Sequence, residues 1–107
     1  MNSQLQIMLQ QAIEAFQSSN FESASLILKR ILQVDAKNLP ALHVLGLVKA
    51  SQKDYEQAAH FLSKAARINP NEVSIQYNLA KALVDCGQIK ESIPHHKKAV
   101  ILDPDNI

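Results

Sequence analysis

Four histidines, one cysteine and ten acidic residues are the side chains of this 107-residue sequence that could hold a metal or act as acid, base or nucleophile. Zinc sites draw on Cys and His at short recurring spacings. His95 and His96 are adjacent, so on a helix they point about 100° apart and do not share an ion. His43 and His60 stand in other segments, and all four read as solvated helix-face histidines. Cys86 has no CxxC partner and precedes Gly87. At a helix C-terminus the negative end of the dipole opposes a thiolate, so Cys86 reads as a half-buried structural thiol. Glu14, Glu22, Glu56 and Glu91 are spread over outer faces, and no carboxylate pair is spaced for acid–base work. The only glycines, Gly46 and Gly87, cannot make a phosphate-cradling loop. The residues give no catalytic set, no metal site and no cofactor site, and the chain reads as a non-enzyme.

The elements that carry these residues are helical. Hydrophobic residues make up 47%, as in a globular domain, whereas aromatics are 5% and Trp is absent. A composition rich in Ala, Leu, Gln and Lys favours helix over strand. The formal net charge of +1 gives no basic footprint for nucleic acid or an anionic membrane. No apolar run reaches the roughly 18 residues that span a bilayer. Met1-Asn2-Ser3-Gln4 lacks the basic start of a signal peptide, and the lone Cys86 suits a reducing compartment. The expected location is cytoplasmic.

Three phrases recur at 34-residue spacing: Val34-Asp35-Ala36-Lys37-Asn38, Ile68-Asn69-Pro70-Asn71-Glu72 and Leu102-Asp103-Pro104-Asp105-Asn106. Each reads as a helix end and a turn, since Pro cannot continue a helix and Asn or Asp caps the next one. At that period the chain divides into repeats 5–38, 39–72 and 73–106 of a single domain spanning 1–107. Ala12, Gly46 and Ala80 then share a small-residue column, and so do Ala24, Ala58 and Ser92. Two antiparallel helices approach closely only where side chains are small, so these columns are expected to face one another. Phe21, Tyr55 and Ile89 form a large-residue column expected to plug the space near the turn. Helices are predicted at 3–17, 21–34, 39–52, 55–68, 72–86 and 89–102, with turns at Ser18-Ser19-Asn20, Lys53-Asp54 and Gly87-Gln88. Pro40 falls in a first turn, where its missing N–H costs little. Pro94 falls about one turn into the last helix and is expected to bend or delay it.

Leu45-Gly46, Ala58, Leu62, Ala65 and Pro70 in the second repeat, with Leu79, Ala80, Gly87, Ala99 and Pro104 in the third, resemble the tetratricopeptide (TPR) pattern. The departures are the missing Trp, Ala36 in place of Pro, and His96 in place of a large apolar residue. The resemblance implies an all-α, right-handed α-solenoid of three helix-turn-helix repeats, six helices in all. It also implies a concave groove, lined by the first helix of each repeat, that takes a peptide or protein segment. Carried over by register, the lining is Leu9, Ile13 and Phe16, then His43, Val44, Leu47 and Ala50, then Tyr77, Asn78, Lys81 and Asp85. The apolar first three equally suit packing on one another or on repeat two. The positions that hold a chaperone's terminal carboxylate in one TPR subclass carry Leu9, Ile13, Val44, Ser74 and Asn78 here, which excludes that clamp. Asn78, in Tyr77-Asn78-Leu79-Ala80, resembles the asparagine of O-GlcNAc-transferase-like TPRs, whose amide reads a peptide backbone.

Ala41-Leu42-His43-Val44-Leu45-Gly46 together with Tyr77-Asn78-Leu79-Ala80 also looks like the N-terminal TPR region of bacterial TPR-linked glycosyltransferases and sulfotransferases. The sequence stops soon after repeat three, without a polar capping helix. It is therefore expected to be a fragment of a larger protein, or to have its last helix covered by another molecule. Ile93, Val100 and Ile101 on that helix are the expected self-association end of a homo-oligomer. Three readings follow: a peptide- or protein-binding scaffold, a non-catalytic targeting or assembly module of a glycosyl- or sulfotransferase, and an enzyme or metal-dependent hydrolase that uses the histidines. Sequence beyond Ile107 separates the first two, and His95→Ala with His96→Ala tests the third.

Overall fold

The turns between helices obey the same period as the sequence. The structure, a computed structural model, describes residues 3–105. Asn106 of the third turn phrase, with Met1, Asn2 and Ile107, lies outside the described residues. Six helices and no strand occur among the described residues: α1 Ser3–Gln17, α2 Phe21–Val34, α3 Leu39–Ser51, α4 Tyr55–Ile68, α5 Val73–Asp85 and α6 Ile89–Leu102. α3 and α5 are slightly shorter than the spacing predicts, because Gln52, Glu72 and Cys86 are caps.

Within each repeat the first helix ends on a left-handed residue: Ser19 (φ 61°), Lys53 (φ 64°) and Gly87 (φ 89°). The next N–H reaches back five residues, Asn20 to Ala15, Asp54 to Lys49 and Gln88 to Leu83, at 2.7–2.9 Å. These are the six-to-one bonds of a Schellman ending, which satisfy carbonyls that the helix leaves unpaired. Between repeats the ending differs. Asp35, Asn69 and Asp103 leave the helical region with negative φ (−137° to −145°) and donate their N–H groups four residues back. Asn38 caps α3 by accepting from Ala41 N–H at 3.0 Å, and Asp54 caps α4 by accepting from Gln57 N–H at 3.3 Å. Asn71 does not cap α5; its N–H instead donates to the Asn69 side chain at 3.1 Å, leaving Glu72 as N-cap without a side-chain bond.

Each helix packs on the next, and the first helices also touch, α1 on α3 and α3 on α5. Ala12, Ala24, Gly46, Ala58, Ala80 and Ser92 are all buried. Gly46 has a more specific neighbour than Ala58: a Cβ there would lie 2.6 Å from Leu62 Cγ. The hydroxyl of Ser92 in the last helix donates to the Ile89 carbonyl at 2.6 Å, so it is buried without an orphaned donor. Pro94 does not delay α6, which runs unbroken from Ile89. The third plug fails: Phe21 and Tyr55 are half-buried, but Ile89 is exposed because no helix lies over it among the described residues.

Two core clusters meet at α3. Ala41, Leu45 and Val48 join Ala12, Leu28 and Ile31 on one side. Leu42 joins Leu62, Ile75 and Leu79 on the other. A helix covered from two sides must be apolar around most of its circumference, and LPALHVLGLVKAS is.

Two stability predictions follow. Ser19→Gly and Lys53→Gly remove the left-handed penalty of a side-chain-bearing residue and should each stabilise by about 1 kcal/mol. Gly46→Ala gains helix propensity of about 1 kcal/mol but overpacks Leu62 by about 1–3 kcal/mol. A net loss is expected in urea unfolding, reversing to a gain in a Leu62→Ala background.

Candidate functional site

The register that buries one face of α1, α3 and α5 turns another face of the same helices toward a common concavity. Phe16, Leu47, Ala50, Asn78, Lys81 and Asp85 line one open cleft of about 270 Å³ with Ser51, Tyr55, Leu62 and Ala82. Leu9, Ile13, His43, Val44 and Tyr77 are not in this lining. Leu9 and Val44 pack against the first core cluster, Ile13 is half-buried, and Tyr77 is exposed. Phe16 serves both surfaces, since it packs against that cluster and sits 6.0 Å from the Phe21 ring.

Ser51, Tyr55, Leu62 and Ala82 line the cleft without having been expected there from the sequence, and of these Tyr55 was expected as a plug near the turn. As the first residue of α4 it starts beside the turn, and from there its ring reaches the cleft as well as the hairpin. Its column with Phe21 carried the signal for size but not for this second face. At the polar end Lys81 Nζ lies 3.7 Å from Asp85 Oδ2, an exposed i,i+4 pair that contributes little stability and remains free to exchange partners.

Asn78 is held rather than free. Its amide nitrogen lies 3.4 Å from His43 Nε2, so the neutral imidazole accepts there and carries its proton on Nδ1. Positions 43 and 78 differ by one period plus one residue, which is how they meet across the joint between repeats two and three. Burial lowers the His43 pKa below its usual 6.5, opposed in part by the Glu72 carboxylate.

His95 also departs from the solvated-histidine reading. Its Nδ1–H donates to Gln76 Oε1 at 2.8 Å, and Gln76 Nε2 donates to the Pro70 carbonyl at 2.9 Å. Gln76 is only 4% exposed and stands in the column of Met8 and Leu42; a polar residue in an apolar column was the available signal. Burial, then the neighbouring His96 charge, lowers the His95 pKa. His60 and His96 are exposed, and His60 meets Phe61 edge-on at 5.2 Å. Cys86 is half-buried, with its thiol 3.5 Å from the Leu83 carbonyl. Among the described residues no group of three or more His, Cys, Asp or Glu side chains converges on one point, and no helix is long and apolar enough to cross a membrane.

Helical hairpins repeating every 34 residues, with their first helices lining a cleft, define a TPR protein. The chain belongs to the family described as anaphase-promoting complex, cyclosome, subunit 3, whose model matches residues 9–99. A curated relative, Superkiller protein 3 of Saccharomyces cerevisiae, is 27% identical over 92 residues, covering 79% of this chain and 6% of that protein. The solved structure of a Thermobaculum terrenum O-GlcNAc transferase mutant superposes with a TM-score of 0.88 at 34% identity, covering 97% of this chain and 20% of that one. The Yersinia enterocolitica type III secretion chaperone SycD, solved in complex with a peptide of the translocator YopD, superposes with a TM-score of 0.90. At 20% identity, over 99% of this chain and 81% of that one, it shares the fold. The chain thus spans a small part of the first two proteins it resembles.

The two shielded histidines set a pH dependence. Both folded-state pKa values lie below the ordinary 6.5, so just below that pH the unfolded chain binds more protons than the folded one. Stability is then full above about pH 6.5 and falls as the pH drops through the folded values. The urea midpoint should decrease between about pH 7.5 and about pH 5, and His43→Gln with His95→Gln should flatten that decrease.

Proposed function

We propose that this chain is a non-catalytic interaction module that holds a polypeptide segment in the cleft along α1, α3 and α5. The carrying observation is that Phe16, Leu47, Asn78 and Lys81, drawn from three different repeats, line one continuous open cleft. Its apolar end suits a hydrophobic side chain and its Lys81–Asp85 end suits polar groups. Between them Asn78, oriented by His43, leaves its amide oxygen to accept a backbone N–H. That a protein of the same fold, SycD, holds a peptide supports the reading. A cytoplasmic setting goes with it.

A second reading is that the chain is a substrate-positioning part of a larger transferase. It is favoured by the 34% identity to the O-GlcNAc transferase, of which this chain matches 20%.

Peptides selected from a displayed library against the chain test the first reading. Asn78→Ala and Phe16→Ala should each weaken binding about tenfold, the scale of one good interface contact, with circular dichroism unchanged. Since Phe16 also packs on the core, the exposed Lys81→Ala serves as a variant that leaves the fold alone. Peptides that bind all three variants as tightly as the parent chain overturn the assignment of this cleft.

A further inference from the structure

Asn78 uses the two polar atoms of its side chain unequally. Its Nδ2 lies 3.4 Å from His43 Nε2. Among the described residues its Oδ1 has no protein partner, and neither has His43 Nδ1. No buried side-chain polar atom is left unpaired, so water reaches both. Asn78 lines the cleft beside Leu47 and Lys81, whereas His43 stands outside the lining. The ring therefore acts on the cleft only through the amide.

The neutral ring accepts at Nε2, so the amide gives an N–H to the ring and keeps Oδ1 as an acceptor for the cleft. A proton taken up by His43 must go to Nε2, since Nδ1 already carries one. The new Nε2–H would then face the amide NH2, two donors with no acceptor between them. Half a turn of the amide about its last side-chain bond relieves this. Oxygen and nitrogen exchange places with almost no change of shape. Oδ1 then accepts from the imidazolium, and the NH2 is left for the cleft. A carbonyl or carboxylate now suits the place that suited a backbone N–H, and a carboxylate also meets the charge of the ring.

We propose that His43 determines which chemical group Asn78 selects: a hydrogen-bond donor while the ring is neutral, and an acceptor, above all a carboxylate, once the ring is charged. This rests on the cleft being the binding surface. The surroundings set where the exchange falls. Burial lowers the His43 pKa, and the Glu72 carboxylate just before α5 opposes this in part, so the ring charges below the ordinary 6.5. The charged groups on the helices packed against α3 are engaged elsewhere. Glu14 on α1 accepts from Gln10 at 3.4 Å, and Lys81 on α5 lies 3.7 Å from Asp85. On α2 and α4, Glu22, Lys29, Glu56, His60, Lys64 and Arg67 line clefts that contain neither His43 nor Asn78. Protonation and binding are linked, so a bound carboxylate strengthens the hold on the proton by the same factor as the proton strengthens the hold on the carboxylate.

Nuclear magnetic resonance of the whole chain reads the turn of the amide with no ligand present. At about pH 7.5 the Asn78 NH2 protons should show Overhauser contacts to the His43 ring. These should vanish at the midpoint of the ring's own titration, with circular dichroism showing a folded chain. Contacts that persist on the charged ring overturn the proposal, as do an amide already turned at neutral pH and a chain that unfolds before the ring charges. Peptides selected from a displayed library at about pH 7.5 are then methylated at one backbone nitrogen at a time. One of these methylations should weaken binding about tenfold while the ring is neutral and less than about twofold once it is charged; an equal cost in both states overturns the proposal. Selection at the lower pH should return peptides bearing a carboxylate, with affinities that fall about tenfold when the pH is raised. His43→Gln, which carries no titratable charge, should abolish both differences, and His96→Gln, which removes an exposed histidine, should preserve them. If no peptide is selected the cleft reading fails, and the Overhauser contacts, which need no ligand, decide whether His43 turns the amide.

Discussion

The close approach of the two helices in a repeat is the constraint on which the rest of the structure depends. At Gly46 the space a methyl group would fill belongs to Leu62. Small residues at Ala12 and Ala80 in the same column, with Ala24, Ala58 and Ser92 on the partner helices, let each hairpin close to a similar geometry. A hairpin this thin cannot enclose a core. Its apolar residues must be shared with the next hairpin, which is why α3 carries Leu45 toward one neighbour and Leu42 toward the other. The concave cleft is a consequence of this stacking, because only the first helices pack against one another on that side.

The parts of this fold that were legible in the sequence are those written in local signals repeated three times. The period fixes the hairpins, and the alternation of Ser-Ser-Asn, Lys-Asp or Gly-Gln with Asp/Asn-Pro-type phrases separates turns within repeats from turns between them. At Ser19 and Lys53 the backbone takes a left-handed value without glycine. There the six-to-one hydrogen bond and the packing of the following helix decide the conformation, and residue type alone would not have shown it. Asn71 misled for a related reason, since the neighbouring Asn69 engages its backbone and α5 begins after Glu72.

Contacts between repeats were less legible, because they depend on which faces meet and not on local pattern. His43 and Asn78 each look like independent groove residues, and only the joint between repeats shows that one orients the other. His95 looks solvated until Gln76 is seen buried beneath it. The link from His95 through Gln76 to the Pro70 carbonyl ties α6 and α5 to the turn before them. It replaces apolar packing by hydrogen bonds that are specific in direction, and every buried side-chain polar atom described here has a partner. The third repeat therefore keeps its geometry with fewer buried large apolar residues than the second, Ile75, Leu79 and Leu83 against Leu42, Leu45, Val48 and Leu62. Its order depends on two imidazoles remaining neutral in sites that disfavour their charge.

The same columns distinguish the helices by what they carry. Leu62 of α4 and Leu79 of α5 belong to one buried cluster where repeats two and three join. In the same columns α6 carries His96 and α1 carries Gln11, and both are exposed. A Leu at either exposed position would be sticky toward any apolar surface. The polar side chains that stand there disfavour such a contact, because an apolar surface laid over them would leave their polar groups unpaired.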